Sequence, residues 1–303
     1  MSSGGEFAFV ALHRVVQCLD SLFWILGRGL LATVCGVIAL IAKLALGERK
    51  TRARGRGSRR GEYHGGVGIG KAPPRRVQEA ARGDPRKQRE KHEAWLSWRR
   101  EHRVDEIFDT PKPAFEAIKA FYPHALHGRT KGGFAVQLEM PGQFSALLEE
   151  LRARGFKDPA RTVVEHISFV MCYVFKHIDS RDFPEGRVLR VIDLARMNSN
   201  DTTYEAFVFL KSMANLASSA FPERMHRVVI VNPPAVFAML WTVFSPMASK
   251  NTLARVRICR TMAEARATLS EDMELRDIPR EYGGECQCGS GGGDGDGGGG
   301  GGG

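Results

Sequence analysis

Apolar and polar positions alternate in different ways along the chain. Leu22 to Ala42 is almost continuously apolar over 21 residues, with Arg28 as its single charge. A bilayer core takes about 20 such residues, so the stretch is expected to span or to form a hairpin anchor. Its uncharged part, Gly29 to Ala42, is also short enough for a helix lying in the interface, and a cleaved targeting segment is a further reading. From Gln78 onward the pattern becomes periodic. Gln78 to Val104 is charged and helical in composition, with Trp95 and Trp98 on one edge expected to pack into a core. A short helix follows from Pro113 to Phe121.

Four segments read as strands: Phe134 to Glu139, Val188 to Ile192, Arg227 to Val231 and Arg255 to Cys259. The third is a continuous apolar run, as a strand buried on both faces should be, and the fourth alternates with Arg255 and Arg257 on one face. Helical spacing separates them, with Val163, Val164, Ile167, Val170, Met171 and Val174 in Pro159 to His177, and Phe207, Val208, Met213 and Leu216 in Tyr204 to Ala220. Strand–helix–strand repeats of this length imply right-handed crossovers and a mostly parallel sheet, so the fold class is α/β. Asn232 to Phe244 breaks the pattern. Phe237, Leu240, Trp241 and Phe244 recur at three and four after Pro233-Pro234, while Ala238, Met239 and Val243 make the opposite side apolar as well. A helix that is apolar all round is buried, lines an apolar interior or faces lipid.

Charge changes this picture by its position. The chain carries a net +10, but residues 43–103 hold 19 Lys and Arg against 7 Asp and Glu, while residues 104–303 hold 23 against 25. The predicted fold is therefore nearly neutral, which argues against a nucleic-acid partner. The basic stretch after the apolar segment points instead to an anionic membrane surface met by a linker, with the rest of the chain facing the cytosol if the segment spans. The six cysteines form no C-x-x-C pair and no disulfide framework, which suits a reducing compartment.

Candidate chemistry is sparse. Gly65 to Lys71 reads GGVGIGK, part of a phosphate-loop pattern, but Ala72 follows where a hydroxyl belongs and Pro73-Pro74 stand where a helix should start. There is no G-x-S-x-G and no H-E-x-x-H, so an enzyme is not expected, nor is a cofactor or a metal. His124 and His127 have no acidic or Cys neighbour in sequence and are expected to be structural. Cys286-Gln-Cys288 offers acylation or metal binding as readings, but next to a Gly-rich tail it is expected to be unstructured.

Five blocks in order then carry a resemblance: Trp98-Arg-Arg-Glu101 with Val104-Asp-Glu-Ile107, Phe121 to Gly128, Val191-Ile-Asp-Leu194, Phe221-Pro-Glu-Arg-Met225 with Val228 to Pro233, and Ile278-Pro-Arg-Glu-Tyr-Gly-Gly284. Together they resemble the CRAL-TRIO lipid-binding domain, the family of the yeast phosphatidylinositol/phosphatidylcholine transfer protein. The resemblance implies a sheet that floors an apolar pocket, closed by a mobile helix, with a phospholipid such as phosphatidylinositol as partner and no bond made or broken. It carries headgroup contacts onto Glu223, Thr252 and Arg255, and a pocket or gate role onto Phe237, Leu240, Trp241 and Phe244. Two departures stand out. Ala80 to Pro85 lacks the family's Arg-rich helical stretch, and Val188 and Arg190 stand where choline-binding relatives carry small hydroxyl residues. A sterol, tocopherol-like or retinoid-like guest, or a non-exchanging interaction module of the same fold, are the alternatives. The expected organisation is a membrane or targeting segment over 1–47, a basic linker over 48–77, an N-terminal helical region over 78–121, the lipid-binding domain over 122–285 and a Gly-rich tail over 286–303.

Overall fold

The computed structural model describes residues 72–245 and 250–288. The apolar segment 22–42 and the basic stretch 43–71 lie outside the described residues, and among those described no helix is long and apolar enough to cross a membrane.

The expected helix from Gln78 to Val104 is broken in two: α1 (Arg75–Ala81) and α2 (Pro85–Glu101). The reason is local. Arg82 takes a left-handed conformation, Gly83 follows with φ +76°, and Asp84 caps α2 by accepting from the Arg86 and Lys87 N–H groups, with Pro85 as the first helical residue. Next come α3 (Phe115–Phe121), β1 (His124–Arg129), β2 (Ala135–Glu139), α4 (Phe144–Ala153) and α5 (Pro159–Tyr173), which runs on as a wider turn over Val174–Ile178. The second half holds β3 (Val188–Asp193), α6 (Tyr204–Ser219), β4 (Met225–Val231), α7 (Ala235–Phe244), α8 (Lys250–Ala254), β5 (Val256–Cys259) and α9 (Met262–Ser270). All four expected strands are present. The strand β1 and the helices α4, α8 and α9 are additions to the expected set.

The sheet order is β1-β2-β3-β4-β5, antiparallel only between β1 and β2. Register sorts its two faces. Val136, Leu189, Val191, Val229, Val231 and Cys259 share a core with Ala265 and Leu269 of α9 and with Ile278 and Tyr282 of the C-terminal turn. By the period of two, Gln137, Glu139, Arg190, Ile192, Val228, Ile230, Val256 and Ile258 lie on the other face. A second core joins α2, α3, α4, α5 and α6, with Trp98, Ile118, Leu147, Leu151, Val163 and Leu216 buried in it. Trp98 thus packs as expected, its ring edge-on to Phe221 at 5.1 Å, whereas Trp95 is only half buried and stacks on His92 at 6.1 Å outside that core.

Candidate functional site

The sheet face away from α9 has two characters. On the β2–β3 side it is polar: Arg190 grips Glu139 with both ends of its fork, Nε to Oε1 at 2.5 Å and Nη2 to Oε2 at 2.6 Å, and the Tyr122 hydroxyl donates to the same carboxylate at 2.6 Å. Burial would raise the Glu139 carboxyl, but the Arg190 charge and these hydrogen bonds hold it below its ordinary value. Toward β4 and β5 the face is apolar, and there Ile192, Val228, Val256 and Ile258 are only half buried. Half-covered aliphatic side chains side by side on one face of β3, β4 and β5 are a surface that an apolar guest can complete.

The lower, N-terminal ends of β4 and β5 hold two of the three expected headgroup residues together. Glu223 sits in the turn before β4 with φ +54°, a conformation uncommon for a residue with a side chain. Arg255 ends the link between α8 and β5 rather than standing inside the strand, so its pairing with Arg257 on one strand face is not observed. Its Nη2 donates to Glu223 Oε2 at 2.6 Å and its Nη1 to the Met225 carbonyl at 2.8 Å. The pair keeps some exposure, 28% for the Arg255 side chain and 17% for Glu223, so a ligand can reach it. Thr252 lies three residues earlier, exposed on α8, and its carbonyl accepts from the Arg255 N–H at 3.1 Å.

Two arginines not expected in the site complete this end. Arg76 of α1 is buried, its Nη1 donating to the Glu223 carbonyl at 2.9 Å and its Nη2 to the Glu185 carbonyl at 2.5 Å. Arg224 donates to the carbonyls of Arg181 at 3.0 Å and Gly186 at 2.8 Å, and its guanidinium lies 4.3 Å from the Phe175 ring centroid. Burial and the neighbouring Arg76 charge bring Arg224 down to about 10. Arg76 is lowered too, by burial above all. Both guanidinium groups thus rest mainly on neutral carbonyls, with Asp182 as the nearest carboxylate to Arg76 at 3.5 Å. A cavity of about 390 Å³ opens beside them, lined also by Trp95, Trp98, Phe108, Phe175 and Phe221. The signal for Arg224 was its place next to Glu223. Arg76 lies outside the stretch Ala80–Pro85 that stands where the family carries its N-terminal arginines.

The expected gate residues are placed unevenly. Phe237 and Trp241 are half buried on α7 and stack with ring centroids 6.0 Å apart. The side chains of Leu240 and Phe244 lie outside the described residues. Helix α7 is not buried all round, because Ala235, Ala238 and Thr242 form an exposed stripe while Val236 is buried. Neither this helix nor the Glu223–Arg255 pair lines the 390 Å³ cavity. The C-terminal turn is a second correction. Cys286 and Cys288 pack on the domain, and Cys288 Sγ stands 3.2 Å from His127 Nδ1, giving that histidine the Cys neighbour its sequence surroundings lack.

Comparison with known proteins follows the same outline. The family model for the CRAL/TRIO domain matches residues 125–284. The chain is 25% identical over 201 residues to phosphatidylinositol/phosphatidylcholine transfer protein SFH4 of Arabidopsis thaliana, covering 63% of this chain and 31% of that protein. It is 24% identical over 213 residues to transfer protein SFH11 of the same plant, covering 67% and 54%. It is also 25% identical over 202 residues to Protein real-time of Drosophila melanogaster, covering 63% and 29%. The matched stretch is therefore about a third to a half of each relative's length. Among solved structures, the crystal structure of Sfh5 superposes with a TM-score of 0.53 at 14% identity, covering 69% of this chain and 77% of that one, a likeness of fold.

Proposed function

Because the chain belongs to the CRAL/TRIO domain family, we propose that it binds a phospholipid and carries it between membranes, with phosphatidylinositol or a phosphoinositide as the preferred guest. The observation that carries this reading is the half-buried apolar row Ile192, Val228, Val256 and Ile258, which ends at the partly exposed Glu223–Arg255 pair. Acyl chains lie on the first, and a headgroup meets the second. Transfer from bilayer to protein exchanges one apolar surrounding for another, so its net free energy is small and exchange is reversible.

The headgroup chemistry follows from the charges. An inositol hydroxyl offers donors to the Glu223 carboxylate, and a phosphate accepts from the Arg255 fork and from Thr252. Arg76 and Arg224, resting mainly on carbonyls, add positive potential at the same end. Choline is disfavoured, because Arg190 fills one of the positions where choline-binding relatives have hydroxyl residues and is locked onto Glu139. We further propose that the basic stretch 43–71 holds the domain at an anionic, cytosol-facing membrane surface, each Lys or Arg near it contributing about 1 kcal/mol.

The test is lipid extraction and mass spectrometry of the purified chain, followed by transfer of labelled phosphatidylinositol between vesicles. Copurified phosphatidylinositol, lost in Arg255→Ala with the folded state intact by circular dichroism, is the expected result. Unchanged loading in Arg255→Ala points to a sterol-like or other apolar guest instead. Absence of any bound lipid, together with no transfer, refutes the reading.

A further inference from the structure

At the far edge of the sheet, away from the apolar floor, three metal-binding side chains converge from the two ends of the domain. His127 lies on β1, an edge strand, and Cys286 and Cys288 lie in the last described turn. Their ligand atoms all fall within 4.8 Å of one another, although His127 and Cys288 are 161 residues apart.

The convergence is held by backbone. The Cys286 N–H donates to the Ile278 carbonyl at 2.9 Å, and its own carbonyl accepts from the Arg280 N–H at 3.0 Å. The Glu285 N–H donates to the Leu275 carbonyl at 2.9 Å. Ile278 and Tyr282, 0% and 1% exposed, anchor the turn in the α9 core. On the other side, His127 Nε2 donates to the Asp277 carbonyl at 2.6 Å. This fixes the tautomer that leaves Nδ1 without a proton, and Cys288 Sγ stands beside the ring, 3.2 Å from Nδ1 and 4.0 Å from Nε2. Donation from one ring nitrogen to a backbone carbonyl is how metal-ligating histidines keep the other nitrogen unprotonated for the metal.

We propose that His127, Cys286 and Cys288 bind a thiophilic divalent cation of the zinc(II) class, fastening the C-terminal turn to the edge strand. Two thiolates balance a 2+ charge and the imidazole coordinates neutral, a donor set that suits zinc and does not suit the oxygen-seeking magnesium or calcium. Tetrahedral zinc places sulfur and nitrogen ligands about 3.5–3.8 Å apart. The ligand atoms now lie within 4.8 Å of one another, so small side-chain shifts bring them to this spacing, and Cys288 is exposed. Three protein ligands leave the fourth position to water. The cation would also cross-link residues distant in sequence and protect the outer edge of β1.

The full chain, reduced and stripped with chelator, is titrated with Co²⁺ and then Zn²⁺. The expected result is one equivalent of cobalt with thiolate-to-cobalt charge-transfer absorption and the strong visible bands of a tetrahedral site, bleached by zinc. Cys286→Ser/Cys288→Ser, which retains Cys18, Cys35, Cys172 and Cys259, loses both signals. His127→Gln, which keeps both thiols, weakens zinc binding at least about tenfold and shifts the visible bands. Zinc raises the melting temperature of the starting protein and leaves that of the double serine variant unchanged. Cobalt absorption that persists in the double serine variant overturns the proposal. So does the lack of saturable cobalt binding to the reduced chain, or zinc affinity unchanged by His127→Gln.

Discussion

Replacing Arg190 by Met should make the stability of the domain depend on pH in a way that the starting protein does not. The Glu139 side chain is 1% exposed and has Arg190 as its counter-charge, with Tyr122 donating as well. Without the guanidinium the carboxyl has two choices in the folded state, to stay ionised in a low-dielectric site or to take up a proton. Protonation against an unfolded-state value near 4.3 costs about 1.4 kcal/mol per pH unit, hence about 3.7 kcal/mol at pH 7 and about 1 kcal/mol at pH 5. This agrees with the roughly 3–5 kcal/mol expected for breaking a buried pair. The sign is the reverse of the native one. In the starting protein the folded Glu139 value is depressed, so its stabilisation is present above the unfolded value and lost only as pH falls through the folded one. In Arg190→Met the folded value is raised, so stability grows as pH falls from 7 to 5. The assay is urea denaturation followed by tryptophan fluorescence at both pH values, read as the difference from the starting protein so that other titrations cancel. Arg190→Met/Glu139→Met should recover most of the loss. A deficit below about 1 kcal/mol at pH 7, or one that does not shrink at pH 5, refutes the account of this pair.

Three further outcomes follow. The His166 ring, whose pKa is driven down to about 3 by burial and by the charges of His124, Lys119 and Lys112, should show flat imidazole NMR shifts from pH 8 to 5. Its contribution to stability is full above about 6.5 and is lost as pH falls toward 3, because the unfolded ring takes up a proton the folded one refuses; a midpoint near 6.5 in the folded protein contradicts this. Gly284→Ala places a methyl group against the Ile278 carbonyl oxygen and should cost about 1–3 kcal/mol in denaturant midpoint analysis, with an unchanged midpoint counting against the turn described. Trp98→Ala should cost about 3–5 kcal/mol by the same measurement, since the ring is 8% exposed and packs on Phe221, whereas a loss under 1 kcal/mol would place it outside the core.

What sequence reveals here depends on how local the cause is. The strands β2, β3 and β4 announce themselves because their side chains sort by face or are apolar throughout. β1 does not, since His124, His127 and Arg129 give an edge strand with no apolar alternation. Helix α4 carries Phe144, Leu147, Leu148 and Leu151 at helical spacing, a readable signal outside the expected set. The break after α1 is written in Arg-Gly-Asp-Pro at 82–85, yet a run of charged helix formers on both sides masks it. At the site, family blocks point to Glu223 and Arg255 separately, but their 2.6 Å contact is created by the β4–β5 pairing. Arg76 reaches the same place from 147 residues away, as a consequence of where α1 docks. The meeting of His127 with Cys288 is likewise set by the closure of the chain, which no neighbouring residue encodes.

The docking of α1 has a consequence for where this molecule can be cut. The guanidinium of Arg76 supplies donors to the Glu223 and Glu185 carbonyls, and Trp98 closes the core beneath Phe221. A fragment trimmed to the family-matched stretch 125–284 would lose these donors and lay bare a greasy wall, opening those peptide oxygens to water. The smallest autonomous piece therefore starts near Pro74, some fifty residues upstream of the recognisable domain, and experiments on shorter fragments would report on damage rather than on binding.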